Sequence, residues 1–409
     1  MVIGASSALP GDARALDGTR VLDLTHQVAG PSATFALAAL GADVVKVVAP
    51  GDRSGFDALP FYFNNASKRS MVIDLKSEAG HELLLEMARG ADVFVENFGP
   101  GVVERLGLDY ETLRAINPRL VYAQIKGFAR NSPYERYPCW DPIVQAFSGS
   151  SSITGEPDGL PMKPGVDVGD TGTGMMAALG IVSALYQRVT TGEGQHVEVS
   201  MSDNVATAIR IQYGFPVGQN VPTPRFGNGP PFTFPTSPSG LFPCKPFGPN
   251  DYVHIHCGNE RQWEALLHAI DREDLIGYEP YQGAQARGHH IEEVDEIVTS
   301  WTGAHDKMTA MQLLGQAGVP AGAVRTTLEI MDDEDLQKRG IFVKVPHPTL
   351  GTATIPGWPV LMSASPPRIT APPEPAQHGA EVLADWLGLE LADAAARAGA
   401  VAGTERPVD

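Results

Sequence analysis

The chain predicts an α/β protein built on an open, mostly parallel sheet. Short β-type apolar runs recur at 20–24, 42–48, 69–75, 92–96 and 120–125, and most are separated by segments with helical character. The first strand–helix–strand set closes within about thirty residues, the span of a right-handed parallel crossover. Glycine and proline, 44 and 34 residues, fall between these periodic segments as punctuation and nowhere form a low-complexity tract.

Taken in order, residues 1–15 read as a flexible lead-in. RVLDL at 20–24 is a short buried strand, and the loop THQVAGP leads into the alanine-rich helix SATFALAALG. ADVVKVV at 42–48 is the second strand and 69–75 the third. The helix at 77–89 opens with serine and carries an acidic residue in its first turn, as helix starts do. Strands follow at 92–96 and 120–125, with a helix end at 113–116 between them. Residues 172–186 form a strongly apolar helix, 197–200 a strand, and 204–212 the start of another helix.

Composition then shifts. Residues 216–249 carry ten prolines and five glycines, the mark of a linker or an elaborate surface loop. YVHIH at 252–256 is a strand, with helices at 261–270 and 308–317 after it. The expectation is a smaller α+β domain with its linker at 216–325, set into a large domain made of 16–215 and 326–409. The returning tail has strands at 340–345 and 351–355, a Gly-Trp-Pro turn and a helix at 378–387.

The chain has 409 residues, enough at roughly 150 residues per domain for two or three domains without disulfide or metal staples. Its 30 basic against 48 acidic residues give a net charge of −18, which repels nucleic acid and anionic membranes. Small anions remain admissible where a local basic pocket outweighs the global field. Cys139, Cys244 and Cys257 fit no disulfide framework or zinc cluster, which points to a reducing, cytoplasmic setting. The start lacks the basic and apolar regions of a secretory signal. The longest apolar run, 175–186, is shorter than the ~20 residues that span a bilayer, so no membrane is expected.

No GxGxxG follows the first strand and no phosphate loop of the Walker type occurs, which argues against a nicotinamide enzyme. His254 and His256 share a strand face, but Asp251, Cys257 and Glu260 stand at no ligand spacing, and no metal is expected. VGDTGTG at 168–174 is more informative. Asp170 or Thr171 there can cap the following helix. Equally, the flanking glycines let a bulky substrate reach the Asp170 carboxylate at a helix N-terminus that favours negative charge. NNASKRS at 64–70, ENFGPG at 96–101 and Arg105 add polar groups around strand ends, where open α/β sheets bind ligands.

These blocks together resemble the class III coenzyme A transferases, the family of formyl-CoA transferase, carnitine CoA-transferase and α-methylacyl-CoA racemase. The residues that carry the resemblance are LDGTRVLD at 16–23, LGADVVKV at 40–47, NASKRS at 65–70, DVFVENFGPG at 92–101, IKGF at 125–128, Gly169-Asp170, TGEGQ at 191–195 and AGVP at 317–320. They run in consistent order from about 16 to 390. The resemblance implies a Rossmann-like large domain closed by a small one, in an interlocked homodimer. It implies ping-pong CoA transfer with Asp170 as nucleophile, an acyl-CoA and a small carboxylic acid as substrates, and no permanently bound cofactor.

The same correspondence assigns CoA contacts to Val28, Ala29, Ile73 to Lys76, Asn97, Phe98, Gly99, Arg105, Trp140 and Asp141. The chain departs from the formyl-CoA branch in three ways. Val28 replaces a glutamine, with Gln27 next door. Ala49 replaces an arginine. Residues 227–239, rich in proline and phenylalanine, replace a polyglycine loop. In the racemase branch a histidine stands where this chain has Trp140, and an indole N–H only donates, so proton shuttling is disfavoured. The resulting expectation is a transferase acting through Asp170, with backbone N–H groups near Gly169 and Gly172 available to oxyanions. The alternatives are an isomerase of the same fold and a non-catalytic CoA-binding protein.

Overall fold

A computed structural model describes residues 13–229 and 236–402. Residues 1–12 of the lead-in expected at 1–15, residues 230–235 of the proline-rich stretch and residues 403–409 lie outside the described residues.

Six strands form one parallel sheet: β1 (Arg20–Leu24), β2 (Asp43–Val48), β3 (Arg69–Val72), β4 (Val93–Glu96), β5 (Val121–Lys126) and β6 (His196–Ser200). Their spatial order is β3-β2-β1-β4-β5-β6. Leu22 lies opposite Val45 on one side and Phe94 on the other. Successive side chains of a strand point to opposite faces, so β1 serves two cores. Val21 joins one core with Val44, Val93 and Val121. Leu22 joins the other with Val45, Phe94, Leu83 and Leu84. A sheet buried on both faces requires the near-continuous apolar strands seen in the sequence.

The first core is closed by two helices, α1 (Ala29–Ala39) and, later in the chain, Thr173–Thr191. Every residue of α1 is buried, and Ala177, Ala178, Ile181 and Ala184 of the later helix pack with it. The two approach closely at Gly174, where an added Cβ would lie 2.5 Å from the carbonyl oxygen of Ala29. The second core is closed by α2 (Glu78–Gly90), whose N-terminus is capped by Ser77 Oγ accepting the Gly80 N–H. Val382, Leu383 and Trp386, from the helix Gly379–Leu387, also pack into that core. The chain then places α3 (Asp141–Phe147) before the helix Thr173–Thr191, which is α4.

Among the described residues, 13–150, 163–208 and 335–402 make up one compact unit, and 151–162 with 209–229 and 236–334 a second. The second has an antiparallel sheet, Ser239–Pro243 with Tyr252–His256 and then Ala321–Ala323. Its core is built on Trp263, Leu266, Leu267, Val294, Val298 and Leu314.

Several expectations change. The stretch 216–249 contributes the strand Ser239–Pro243 and is more than a linker. The helix expected at 204–212 is Met201–Ala208 followed by a tight turn, Arg210–Tyr213. Helices at α3, Ile291–Thr302 and Leu391–Val401 are absent from the expectations, although Ile291, Val294 and Val298 recur at helical spacing in the second of them. The apolar run at 175–186 is only part of a continuous helix over Val168–Thr191, whose length and apolar composition would suffice to cross a membrane. Core helices of water-soluble proteins pass the same test, and one face of α4 is packed in the first core.

Candidate active site

β1 and β4 are neighbours whose onward connections leave in opposite directions, so a crevice opens at their carboxyl ends. The loop after β1 is tied across it. Asn97 Oδ1 accepts the His26 N–H at 2.7 Å, and Asn97 Nδ2 donates to the His26 carbonyl at 2.8 Å. Gln27 takes a left-handed conformation, φ +62°.

Beneath the loop lies a buried ionic cluster. Asp23 Oδ1 accepts the Thr25 N–H and hydroxyl at 2.9 and 2.5 Å. Its Oδ2 accepts the Thr34 hydroxyl at 2.6 Å and Lys68 Nζ at 2.9 Å. Lys46 Nζ stands 3.6 Å from Asp23 Oδ1 and donates to the Thr25 carbonyl. Burial alone would raise the Asp23 pKa, but Lys46, Lys68 and the two hydroxyls outweigh it and hold the carboxyl well below the usual range. Burial pulls the Lys68 ammonium down to about 8 against the attraction of Asp23.

Two cavities open beside this cluster and share His26, Gln27 and Phe98 in their walls. The first, about 500 Å³, is lined by Lys46, Ala49, Ile73, Lys76 and Arg105. Lys76 and Arg105 have no ion-pair partner among the described residues, which suits phosphate groups. The second, about 610 Å³, is lined by Ala29, Asn97, Gly99, Trp140 and Asp170. Of the positions expected to meet CoA, the two cavities thus gather Ala29, Ile73, Lys76, Asn97, Phe98, Gly99, Arg105 and Trp140. Val28 lines neither; it caps α1, and Gln27 faces both cavities in its place. Asp141 lines neither as well, because it is buried at the first turn of α3.

Asp141 holds the Asp170 loop from below. Residues Val168–Gly172 wind into a wide turn ahead of α4. Asp141 Oδ1 accepts the Gly169 N–H at 2.8 Å and the Asp170 N–H at 3.3 Å, while Oδ2 accepts Gln145 Nε2 at 2.6 Å. Thr173 Oγ1 donates to the Gly169 carbonyl at 2.5 Å, and Asn204 Nδ2 to the Val168 carbonyl at 3.0 Å. A Cβ on residue 169 would meet Asp141 Oδ1 at 2.8 Å, so glycine is required by close packing. The Gly169 N–H is consumed by Asp141 and is therefore not free for an oxyanion, contrary to the expectation from sequence.

The Asp170 carboxylate accepts no hydrogen bond among the described residues, and no side chain caps α4. The capping reading of Asp170 and Thr171 is thereby replaced: the loop is held by its backbone, and the half-buried carboxylate is left facing the second cavity. Burial first, then the negative charges of Asp141 and Asp167, push its pKa up to about 6, with Lys163 opposing. Its neighbours are shifted as well. Burial and the carboxylates of Asp170 and Asp141 push the Cys139 thiol up to about 11. Burial, aided by Lys46, brings His26 down to about 4, so its ring is neutral.

Residues 16–380 match the family described as CoA-transferase family III. The chain belongs to this family. Among curated relatives, the formyl-CoA:oxalate CoA-transferase of Streptomyces avermitilis is 38% identical over 397 residues, covering 92% of this chain and 96% of its own. The enzyme of the same name from Rhodopseudomonas palustris strain BisA53 is 36% identical over 407 residues, covering 92% and 94%. Among solved structures, a CAIB/BAIF family protein from Brucella suis superposes with a TM-score of 0.81 at 29% identity, over 91% of this chain and 99% of that one. Rv3272 from M. tuberculosis follows at 0.77 and 28%, over 90% and 98%. The family together with these relatives makes the chain a CoA-transferase, an enzyme acting on CoA thioesters. The structure adds residues not among the expected site positions: His26, Arg136 and Tyr137 join the second cavity wall. Only their short distance in sequence from the blocks quoted above could have flagged them.

At His254 and His256 the structure offers different chemistry. His256 Nδ1 pairs with Ser239 Oγ at 2.8 Å across two strands, and His254 is exposed on its strand. Among the described residues no group of three metal-ligating side chains converges.

Proposed function

We propose that this protein moves CoA from an acyl-CoA to a free carboxylic acid, with Asp170 as the covalent carrier. The observation that carries the reading is the Asp170 carboxylate itself: held by its backbone, free of hydrogen-bond donors among the described residues, and set in a cavity contiguous with one lined by unpaired cations. The carboxylate attacks the thioester carbonyl, and the carbon–sulfur bond breaks to give a mixed anhydride and CoA thiolate. The thiolate attacks the aspartyl carbonyl, which forms an aspartyl thioester and releases the first acid. An incoming carboxylate runs the two steps in reverse. Each intermediate is an activated acyl group, so neither is a deep trap.

In this reading Lys76 and Arg105 meet the CoA phosphates at the first cavity, with Ile73 beside them. Ala29, Asn97, Phe98, Gly99 and Trp140 lie along the thioester arm, and Asp141 positions Asp170 without touching substrate. The CoA-binding domain is the large unit that holds the six-stranded sheet, expected from sequence at 16–215 with 326–409, and the second unit is the small domain expected at 216–325. Three unpaired cysteines support a reducing, cytoplasmic location. The working unit is a homodimer, interlocked as the family resemblance implies. In its support, α4 leaves Leu179, Tyr186 and Val189 exposed at 58%, 78% and 82%, an apolar face that a second copy would cover.

Incubation with a panel of acyl-CoAs, quenching, digestion and mass spectrometry tests the carrier. A CoA adduct on the Asp170 peptide, absent in Asp170→Ala, is the expected result. CoA binding without an adduct from any donor would refute it. Light scattering on the eluting protein reads the dimer.

A further inference from the structure

We infer that the His26 imidazole is a catalytic hydrogen-bond donor, its ring N–H meeting the thioester carbonyl oxygen of the acyl-CoA as that oxygen takes up negative charge; this rests on the reading of Asp170 as carrier. Attack on a thioester creates an oxyanion, which is stabilised most by donors already in place. The backbone donors of the Asp170 turn are taken. Gly169 and Asp170 give their N–H groups to Asp141, and Thr171 gives its own to the Asp167 carbonyl at 2.8 Å. In the second cavity wall, Asn97 Nδ2 is spent on the His26 carbonyl, and Lys126 Nζ on Glu96 and the Phe98 carbonyl. The His26 ring nitrogens make no hydrogen bond among the described residues.

Geometry sets the ring beside the path of the thioester. His26, Gln27, Asp52, Ser54 and Phe98 line both cavities, so an arm that runs from Lys76 and Arg105 to Asp170 passes them. The His26 ring stands edge-on to Phe98 with centroids 4.5 Å apart, and Asn97 holds its backbone at both the N–H and the carbonyl. The His26 loop runs straight into α1, and α1 touches α4 where Ala29 meets Gly174. The loop and the Asp170 turn thus enter the second cavity from adjoining helix starts. Gln27 also carries donors, but on a flexible stem that loses rotamer freedom when it is fixed. Ser54, Arg136, Tyr137 and Trp140 are exposed, where water competes for the same oxygen.

The chemistry of the ring suits the step. Burial and Lys46 keep it neutral at physiological pH, so one nitrogen carries a donor N–H and the other only accepts. A neutral donor binds the oxyanion without ion-pairing to the Asp170 carboxylate and masking it. An Asp170 oxygen bonds to the thioester carbon, the carbonyl π pair moves to its oxygen, and His26 holds that oxygen. Collapse then breaks the carbon–sulfur bond, and CoA departs as thiolate from the mixed anhydride. The imidazole keeps its proton throughout.

The test uses the full chain and an acyl-CoA that loads Asp170 in wild type. Single-turnover adduct formation at saturating acyl-CoA should slow about a hundredfold in His26→Phe, with the half-saturating concentration held within a few-fold. His26→Gln keeps an N–H donor and should recover about tenfold of that rate. A merely structural role would not move the second readout, the infrared band of an isotope-labelled thioester carbonyl bound to Asp170→Ala. That band should lie below its position in water, and His26→Phe in the same background should raise it back. Should His26→Phe not fold, His26→Leu replaces it in both measurements. A rate unchanged without the imidazole, a loss confined to half-saturation, or an unshifted band in Asp170→Ala overturns the assignment of His26 alone. Failure of wild type to form any adduct overturns the carrier reading and this one together.

Discussion

Asp141 holds Asp170 by its backbone and opposes the ionisation of its side chain. One carboxylate oxygen of Asp141 accepts the N–H groups of both Gly169 and Asp170, while the charge on the same group helps keep the Asp170 carboxyl protonated to about pH 6. A carboxylate whose charge is disfavoured gains more on losing it to an acyl bond.

Replacing Asp141 separates the two roles. Asp141→Asn keeps an acceptor for the Gly169 N–H, and Gln145 Oε1, buried without a partner among the described residues, can accept the new amide if the glutamine turns over. The acid limb of adduct formation should therefore move to lower pH with the fold intact. Asp141→Ala leaves buried N–H groups unpaired at about 1–3 kcal/mol, and adduct formation should fall at every pH. A pH profile of adduct formation for both variants checks this. An unmoved acid limb in Asp141→Asn would contradict it.

Asp170 itself should weaken the fold at neutral pH. Its folded pKa is raised from 3.8 to about 6, so the native state holds the proton more tightly than the unfolded chain. The contribution is fully present below about 4 and is lost as pH rises through 6. Asp170→Asn should accordingly melt higher than wild type above pH 6, with the difference closing towards pH 4. Melting curves across that range decide the sign.

Lys76 and Arg105 should separate the nucleotide end of CoA from the thioester end. Alanine at either position removes a charged contact worth about 1.5–3 kcal/mol, a loss of tenfold or more in CoA affinity. Binding of a pantetheine thioester without phosphates should be unchanged. Titration of both ligands reads the contrast, and equal losses would place the phosphates elsewhere.

Asp23→Asn should cost about 3–5 kcal/mol, because it strands two lysines that the fold buries around one carboxylate. The urea midpoint measures it. The double variant Asp23→Asn with Lys68→Met should recover part of the loss.

Gly174→Ala is expected to force α4 off α1. Its Cβ would sit 2.5 Å from a backbone oxygen and 2.8 Å from Ser32 Cβ, and neither the rigid helix nor the packed serine can yield cheaply. A lower melting temperature and a weaker Asp170 adduct should appear together, since α4 carries the nucleophile turn at its start.

The parallel sheet was legible because strands buried on two faces must be apolar at nearly every position. VVKVV in β2 and VFV in β4 show this directly. The candidate carboxylate Asp170 was legible as well, since a carboxylate between glycines ahead of an apolar helix is an uncommon pattern, and the structure leaves it facing a cavity. Helix α3 was missed because it has only seven residues and a proline in its first turn, too short for any period to show.

The chain by itself determined the βαβ order, the candidacy of Asp170 and the family blocks, all properties of local pattern and residue type. Tertiary structure alone decided that Asp141 lies under the loop rather than in the cavity, that Gln27 and not Val28 lines the two cavities, and that residues 151–162 join the second compact unit. The reason is physical: hydrogen-bond partners and burial depend on which distant segments fold together, and Asp141 meets Gly169 across 28 positions of chain.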